Sequence, residues 1–270
     1  MAIITISRGT FSGGKAIAEK LGQTLGCPCI SKEIILDAAE EFGIPEDKLI
    51  AAMESPPRSW LVAPDKRIAH LNYIKYELLK RAKNDNLVYH GSAGHLLLGE
   101  ISHVIRVRVI ASDEYRIKAA MEKENLNRRQ AVSLIKKQDK QSINWTKFLY
   151  GVDWKDPDIY DAVISLDRIS IDSAVKIIAP MTELDDFKPD EFSKAALADQ
   201  VLSSMVWAAL TKDARTNAVN LRVTADNGSV TISGNAGFRS LEKTIEEICM
   251  NVEGVKEVID ETGMGSDWQW

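Results

Sequence analysis

The chain has 270 residues and a mass of 30.0 kDa, with 45% hydrophobic residues, 27% charged residues, a formal net charge of −5 and a pI near 5.5. That length supports one sizeable core or two modest domains, and the composition excludes collagen-like, low-complexity and fully disordered chains. A DNA-coating protein is usually basic, so the acidic balance argues against nucleic acid as the main partner.

The opening residues 3–7, Ile-Ile-Thr-Ile-Ser, are β-branched and nearly free of polar breaks, which suits a strand buried on both faces of a parallel sheet. Gly9, Gly13 and Gly14 follow. Residues 15–25 then place Ile17, Ala18, Leu21 and Leu25 on one helical face. Strand, glycine-rich turn and helix make the start of a βαβ unit. Residues 31–42, 45–53 and 65–83 read as helices, with a break at Ser55-Pro56-Pro57. Residues 87–89 read as a second strand, ending in Gly91-Ser92-Ala93-Gly94. Residues 104–111 read as a third strand, where Arg106 and Arg108 alternate with apolar residues and predict a place near the sheet edge. Helices are predicted over 114–124, 129–139 and 170–178, with a strand over 162–165. Strands alternating with helices predict a parallel α/β sheet.

Residues 182–194 carry Pro189 and many acids and read as a linker. Beyond them the pattern changes. A helix over 195–210 precedes two strands, 220–225 and 229–234, joined by the hairpin signal Asp226-Asn227-Gly228. A helix over 241–251 and a final strand after Gly254 complete an α+β module. The expected organisation is therefore a first domain over 1–181, a linker, a module over 195–262 and a tail over 263–270.

The three cysteines, Cys27, Cys29 and Cys249, are sparse, and Cys27-Pro28-Cys29 lacks the spacing of a redox or zinc knuckle. They read as reduced thiols in a cytoplasmic protein. The first residues lack the basic and long apolar stretches of a signal peptide, and no stretch approaches the ~20 apolar residues of a membrane span. Charge is segregated. Residues 116–147 hold nine Lys/Arg against three Asp/Glu, and residues 152–191 hold four against eleven. This fits either a basic segment that meets an anionic substrate or two solvated faces that partly neutralise each other.

The motif with chemistry is Gly9-Thr10-Phe11-Ser12-Gly13-Gly14-Lys15, which fits the phosphate-loop spacing G-x-x-x-x-G-K. Its glycines let successive amides converge on an anion. The following helix adds unpaired N–H groups and a positive dipole end, and Lys15 adds a point charge for the outer phosphates. By average residue frequencies the spacing arises by chance in about 8% of chains this long, so its place between a buried strand and a helix carries the weight. Ala16 stands where such loops place a magnesium-holding hydroxyl; Ser12 is the nearest substitute, and no other side-chain motif for a metal is present. The strand ending at Tyr89 offers His90 and Ser92 at its tip rather than an aspartate.

The stretches Ile4-Thr5-Ile6-Ser7-Arg8-Gly9, Ser12-Gly13-Gly14-Lys15-Ala16-Ile17-Ala18, Gly91-Ser92-Ala93-Gly94-His95, Asp139-Lys140, Asp153-Trp154 and Tyr160-Asp161 resemble the cytidylate kinase-like family of P-loop kinases. The resemblance covers about residues 1–180. It implies a nucleoside monophosphate kinase-like fold with ATP and Mg²⁺ as cofactors. ATP would be held by Gly9, Ser12, Gly13, Gly14, Lys15, Ala16 and Lys137, with Lys15, Arg116 and Arg128 as catalytic groups. A basic lid would contain Arg128, Arg129, Lys136, Lys137 and Lys140. Ser31, Arg58, Arg67 and Ser92 are the candidate acceptor contacts, and CMP or dCMP is the implied acceptor. Where the family often carries Asp, Arg and Arg, this chain has Ser31, Ser92 and Ser142. Ala16, Ser92 and Ser142 support the alternative of a nucleotide-binding regulator with little turnover. A kinase for a non-nucleotide acceptor is a third reading.

The C-terminal module resembles a BON domain, on the helix 199–210, the hairpin at Asp226-Asn227-Gly228 and the run Val252-Glu253-Gly254-Val255-Lys256-Glu257-Val258. The resemblance implies binding or sensing of a ligand or protein rather than catalysis; a homodimer contact is the competing use, and no residue supports peripheral membrane contact. His70 and His103 read as surface or capping residues. His90 and His95 read either as facing the nucleotide or as packed beside a strand end. Trp145, Phe148, Tyr150 and Trp154 read as anchors of the lid hinge or as base-stacking groups, and Trp268 and Trp270 as a docking or frayed tail.

Overall fold

This computed structural model describes residues 2–54, 64–91, 93–99, 101–217, 220–235 and 241–262. Eight strands and ten α-helices are distributed over two sheets among the described residues. The first sheet contains β1 (Ile3–Arg8), β2 (Cys29–Ile30), β3 (Leu87–Tyr89), β4 (Val104–Ile110) and β5 (Ala162–Ser165) in the order β2-β3-β1-β4-β5. Every neighbouring pair is parallel. Parallel strands need crossover connections and covered faces, and both faces are covered.

On one face Ile4, Ile6, Ile105, Val107 and Val109 pack against α1 (Gly14–Leu25) and α8 (Ile171–Ile178). On the other, Ile3, Leu87, Tyr89 and Val104 join a core with residues from α2 (Glu33–Phe42), α3 (Glu46–Glu54), α4 (Pro64–Ala82) and α5 (Gly94–Leu97). Helices α6 (Asp113–Glu124) and α7 (Arg128–Tyr150) form a hairpin with its own small core of Ile117, Ala120, Ala131 and Ile135. Its turn is well specified: Asn125 takes the left-handed conformation, and Asn127 and Gln130 make a reciprocal capping box at the start of α7.

The strand expected over 104–111 runs over Val104–Ile110 and does lie near an edge, paired with β1 on one side and the edge strand β5 on the other. Its arginines differ: the Arg106 side chain stays 32% exposed while pairing with Asp161 at 2.7 Å, whereas Arg108 is buried against the rings of Trp154 and Tyr160. Several other expectations are corrected. The helix predicted over 129–139 runs on to Tyr150. The two-residue β2 and four-residue α5 are too short to leave a periodic signal. His103 is fully buried, not at the surface, and its Nε2 lies 2.9 Å from Asp85 Oδ1. Residues 182–190 are not a free linker: 3₁₀ turns run over Ala179–Glu183 and Asp185–Phe187, and Phe187 packs against the sheet core.

The second sheet pairs β6 (Asn220–Asp226) antiparallel to β7 (Ser229–Asn235), which pairs parallel to β8 (Glu257–Thr262). It packs against α9 (Glu191–Lys212) and α10 (Glu242–Met250) through Leu221, Val230, Ile232, Val206, Leu210, Ile245 and Cys249. Helix α9 serves both cores. Leu197 and Val201 are buried in the α2–α4 core, with Met205 and Trp207 packed on it, whereas Leu202, Val206 and Leu210 are buried in the second-sheet core.

A charged cluster seals that junction. Glu41 accepts hydrogen bonds from Lys212 at 2.8 Å, Lys80 at 2.7 Å and the Tyr76 hydroxyl at 3.2 Å. Glu77 is 2% exposed, with Lys80 Nζ 3.5 Å away. Burial and the neighbouring Glu41 push the Glu77 carboxyl up to about 7, while its lysine partners pull Glu41 down to about 2 despite partial burial. A raised acid stabilises the fold fully below its unfolded value and loses that contribution as pH climbs through its folded value. Glu77 should therefore cost stability progressively between about pH 4.5 and pH 7. Glu77→Gln is expected to flatten the melting-temperature profile over that window by about 1–2 kcal/mol equivalent, measured by thermal melts at a series of pH values; an unchanged slope would refute the assignment.

Candidate phosphate-binding site and lid

The site begins where β1 leaves the sheet. The Gly9 amide donates to the Val109 carbonyl at 3.1 Å and the Ser12 amide returns to the Gly9 carbonyl at 3.0 Å, so residues 9–12 form a tight turn above β4. The Ser12 hydroxyl is buried and donates to the same Val109 carbonyl at 2.9 Å. Gly13 follows with φ +84°, and α1 starts at Gly14 with no side-chain cap. The amides of residues 13–16 have no acceptor among the described residues. Unpaired amides open every helix. Here the preceding turn adds a left-handed glycine, and Lys15 projects beside them with a side chain 59% exposed. Its one described partner is Glu19 at 3.5 Å, one helical turn on, an exposed pair of the kind that contributes little.

The backbone at Gly13 admits only glycine comfortably. A Cβ there would sit 2.7 Å from Leu166 Cδ1 and 3.1 Å from the Tyr115 hydroxyl, besides carrying a positive φ. Gly13→Ala is expected to destabilise the loop by about 1–2 kcal/mol and to lower ATP affinity by about tenfold. Thermal melts and calorimetric titration would measure both, and unchanged affinity would mean that this turn does not hold the ligand.

The residues read as candidate phosphate contacts are placed unequally. Arg116 on α6 does converge on the loop, but it is engaged: Nε donates to the Thr10 carbonyl at 2.7 Å, and NH2 lies 2.7 and 2.8 Å from the two carboxylate oxygens of Asp139 on α7. Arg128 is exposed and donates to Glu114 at 2.9 Å, which raises its pKa further. Lys136, Lys137 and Lys140 are exposed on α7. Ser31 sits just past β2, where its amide donates to Glu33 Oε2 at 2.6 Å. Arg58 and Ser92 lie outside the described residues, as do the side chains of Arg67, Trp145 and Phe148, and the tail with Trp268 and Trp270.

Beside the loop, at the carboxyl ends of the strands, is a buried polar cluster whose contacts the sequence pattern did not specify. Trp154 Nε1 donates to Ser7 Oγ at 2.9 Å, and the Tyr160 hydroxyl lies 3.1 Å from Ser7 Oγ and 3.3 Å from His95 Nε2. Arg108 donates to the Trp154 carbonyl. Burial, reinforced by the Arg108 and Arg106 charges, drives the His95 pKa down to about 3, so the ring is neutral near pH 7. His90, at the tip of β3, is buried with Nδ1 lacking a hydrogen-bond partner, and burial together with the Arg8 charge lowers its pKa. Trp154 therefore ties the segment that follows α7 to β1.

Magnesium finds no ready side-chain ligands. Ser12 is committed to a backbone carbonyl, Ala16 has no hydroxyl, and no group of three or more His, Cys, Asp or Glu residues among those described could hold a metal ion. The residues present do not fit a directly coordinated ion. No helix among the described residues is long and apolar enough to cross a membrane.

The larger of the two described cavities lies elsewhere. A groove of about 600 Å³ runs along α9 between the turn at Lys83, Asn84 and Asp85 and the second-sheet loops at Asn227, Gly228 and Lys256.

No curated protein matches the chain. Among solved structures, an uncharacterized protein from Eubacterium ventriosum is 22% identical, with a TM-score of 0.53, and the match covers 68% of this chain and 99% of that one. A shikimate kinase from Bacteroides thetaiotaomicron is 12% identical, with a TM-score of 0.42 and coverage of 68% and 99%. A shikimate kinase from Acinetobacter baumannii is 13% identical, with a TM-score of 0.40 and coverage of 70% and 96%. The BON domain model matches residues 198–262, which hold the second sheet and most of α9. Residues 3–168, from β1 past the lid to the end of β5, match the cytidylate kinase-like family model, and the chain belongs to that family.

Proposed function

We propose that the chain is an ATP-dependent phosphotransferase of cytidylate kinase-like type, acting on a nucleoside monophosphate such as CMP or dCMP. The observation that carries this reading is the row of acceptor-free amides at residues 13–16 with the exposed Lys15 ammonium beside them. The amides and the ammonium would hold the β- and γ-phosphates, where fixed donors in place before reaction are worth most. A phosphate acceptor already carries an anionic oxygen, so no base is required of the protein. Any Mg²⁺ would be carried by phosphate oxygens and water. Three free cysteines support a cytoplasmic setting. The BON domain would bind or sense a ligand, for which the groove along α9 is the natural place.

The second reading, a nucleotide-binding regulator with little turnover, gains a structural feature beside the residue departures: Arg116 is already engaged by Asp139. Coupled ADP release over a panel of monophosphates, extended to non-nucleotide hydroxyl acceptors and protein side chains, separates the readings. Turnover on CMP or dCMP supports the kinase. Tight ATP binding without any acceptor activity supports the regulator.

A further inference from the structure

We propose that Phe11 is a positioning residue that fastens the phosphate loop to the lid hairpin, so that polyphosphate bound at residues 9–16 and the seating of α6 and α7 stabilise each other. The inference rests on the nucleotide reading above and adds a residue and a coupling to it.

Phe11 stands in the middle of the loop with φ +58°. That left-handed conformation is rare for a bulky residue, and a glycine would adopt it freely. A loop that only cradled phosphate would gain nothing from an aromatic ring here. The ring packs against the hairpin core formed by Ile117, Ala120, Ala131 and Ile135. The Lys123 ammonium lies 5.7 Å from the ring centroid, within cation–π range. The preceding residue is fastened to the same hairpin, since the Thr10 carbonyl accepts from Arg116 Nε, and Arg116 in turn grips Asp139 on α7. Ser12, on the other side, is pinned to β4 through Val109.

Three consecutive loop residues thus have fixed attachments, two to the lid and one to the sheet. The run of acceptor-free amides at residues 13–16 lies immediately beyond them. A tilt of the hairpin must be absorbed within one or two residues of those amides, because Ser12 does not move with it. Among the described residues the hairpin's own core has four buried side chains, so the Phe11 ring is a substantial part of what it packs against. Coupling of this kind is reciprocal: whatever phosphate gains from the seated lid, the lid gains from phosphate.

The test is hydrogen exchange on the full chain, with and without a non-hydrolysable ATP analogue, for the wild type, Phe11→Gly and Phe11→Leu. In the wild type the analogue should slow exchange both at residues 9–16 and across residues 113–135. Phe11→Gly suits the backbone and deletes the ring. It should keep slowing at the loop, while the nucleotide-dependent slowing in the hairpin shrinks by roughly fivefold or more. Phe11→Leu should restore most of it. A wild-type hairpin response in Phe11→Gly, with the loop still protected, would overturn the coupling alone. No slowing at residues 9–16 in the wild type would overturn the nucleotide reading and this inference with it. If Phe11→Gly also loosens the five-stranded core, Phe11→Met and Phe11→Ser replace it, and equal hairpin responses from that pair would overturn the coupling.

Discussion

Lys15→Ala is expected to lower phosphoryl-transfer turnover by about 100-fold or more, while leaving the melting temperature nearly unchanged. The asymmetry follows from the geometry. The Lys15 side chain is 59% exposed, and its described partner, Glu19, is itself 51% exposed at 3.5 Å. Removing such a group from a folded protein usually changes stability by no more than about 0.5 kcal/mol. A polyphosphate at residues 13–16 would lose the ammonium that stands beside those amides. ATP affinity by calorimetry, coupled ADP release and a thermal melt on the same preparation give the answer. Unchanged ATP affinity would refute the loop assignment. Lost stability together with lost affinity would mean that Lys15 holds the fold. Glu19→Gln is the companion: freeing the ammonium should leave affinity unchanged or raise it.

Ending the chain at residue 190 is expected to destabilise the five-stranded domain by about 5 kcal/mol, although that cut removes none of its strands. Leu197 and Val201 of α9 are buried in the α2–α4 core, Met205 and Trp207 cap it, and the Trp207 ring meets Tyr73 at 4.9 Å between centroids. Fully burying a side chain of this size contributes roughly 1.5–3 kcal/mol; two here are fully buried and two partly. The loss approaches the whole stability of an ordinary domain and would lower the melting temperature by roughly 10–20 °C. The shortened chain should also bind hydrophobic dyes through the uncovered faces of α2 and α4. A melt within a few degrees of the full chain would show that α9 belongs energetically to the second sheet only.

The elements that were legible in advance share one property: their signal lies within a few consecutive residues. The run Ile3–Arg8, the glycines after it and the helix from Gly14 were readable because strand burial, turn chemistry and helical spacing are all local. The hairpin at Asp226-Asn227-Gly228 was readable for the same reason, and β6 and β7 flank it. The alternation of Arg106 and Arg108 matches a strand one in from the edge, but not the burial of Arg108, for the converse reason. Their alternation resembles a wet strand, but Asp161, 55 residues away from Arg106, and the rings of Trp154 and Tyr160 neutralise and cover them. The resemblance marks Arg116 as a phosphate contact, and its side chain reaches the loop at the Thr10 carbonyl. Its bidentate grip on Asp139 could not be read from the chain, because the two residues face each other only once α6 and α7 fold back. The acid-rich stretch after Thr182 resembled a linker because charge suggests solvent; Phe187 within it nonetheless reaches the sheet core.

From residue order alone it follows that a glycine-rich turn with phosphate-loop spacing stands between a buried strand and a helix, that the chain joins an α/β part to a small α+β part, and which family each resembles. Those properties depend on side-chain period and glycine placement, which are contiguous along the backbone. The tertiary structure alone decided that α9 serves two cores, that Phe11 and Arg116 bind the loop to the lid, and that Glu41, Glu77, Lys80 and Lys212 meet at one junction. Such contacts join residues as far apart as Glu41 and Lys212, 171 positions along the chain, and their partners are chosen by packing geometry, which no local pattern encodes.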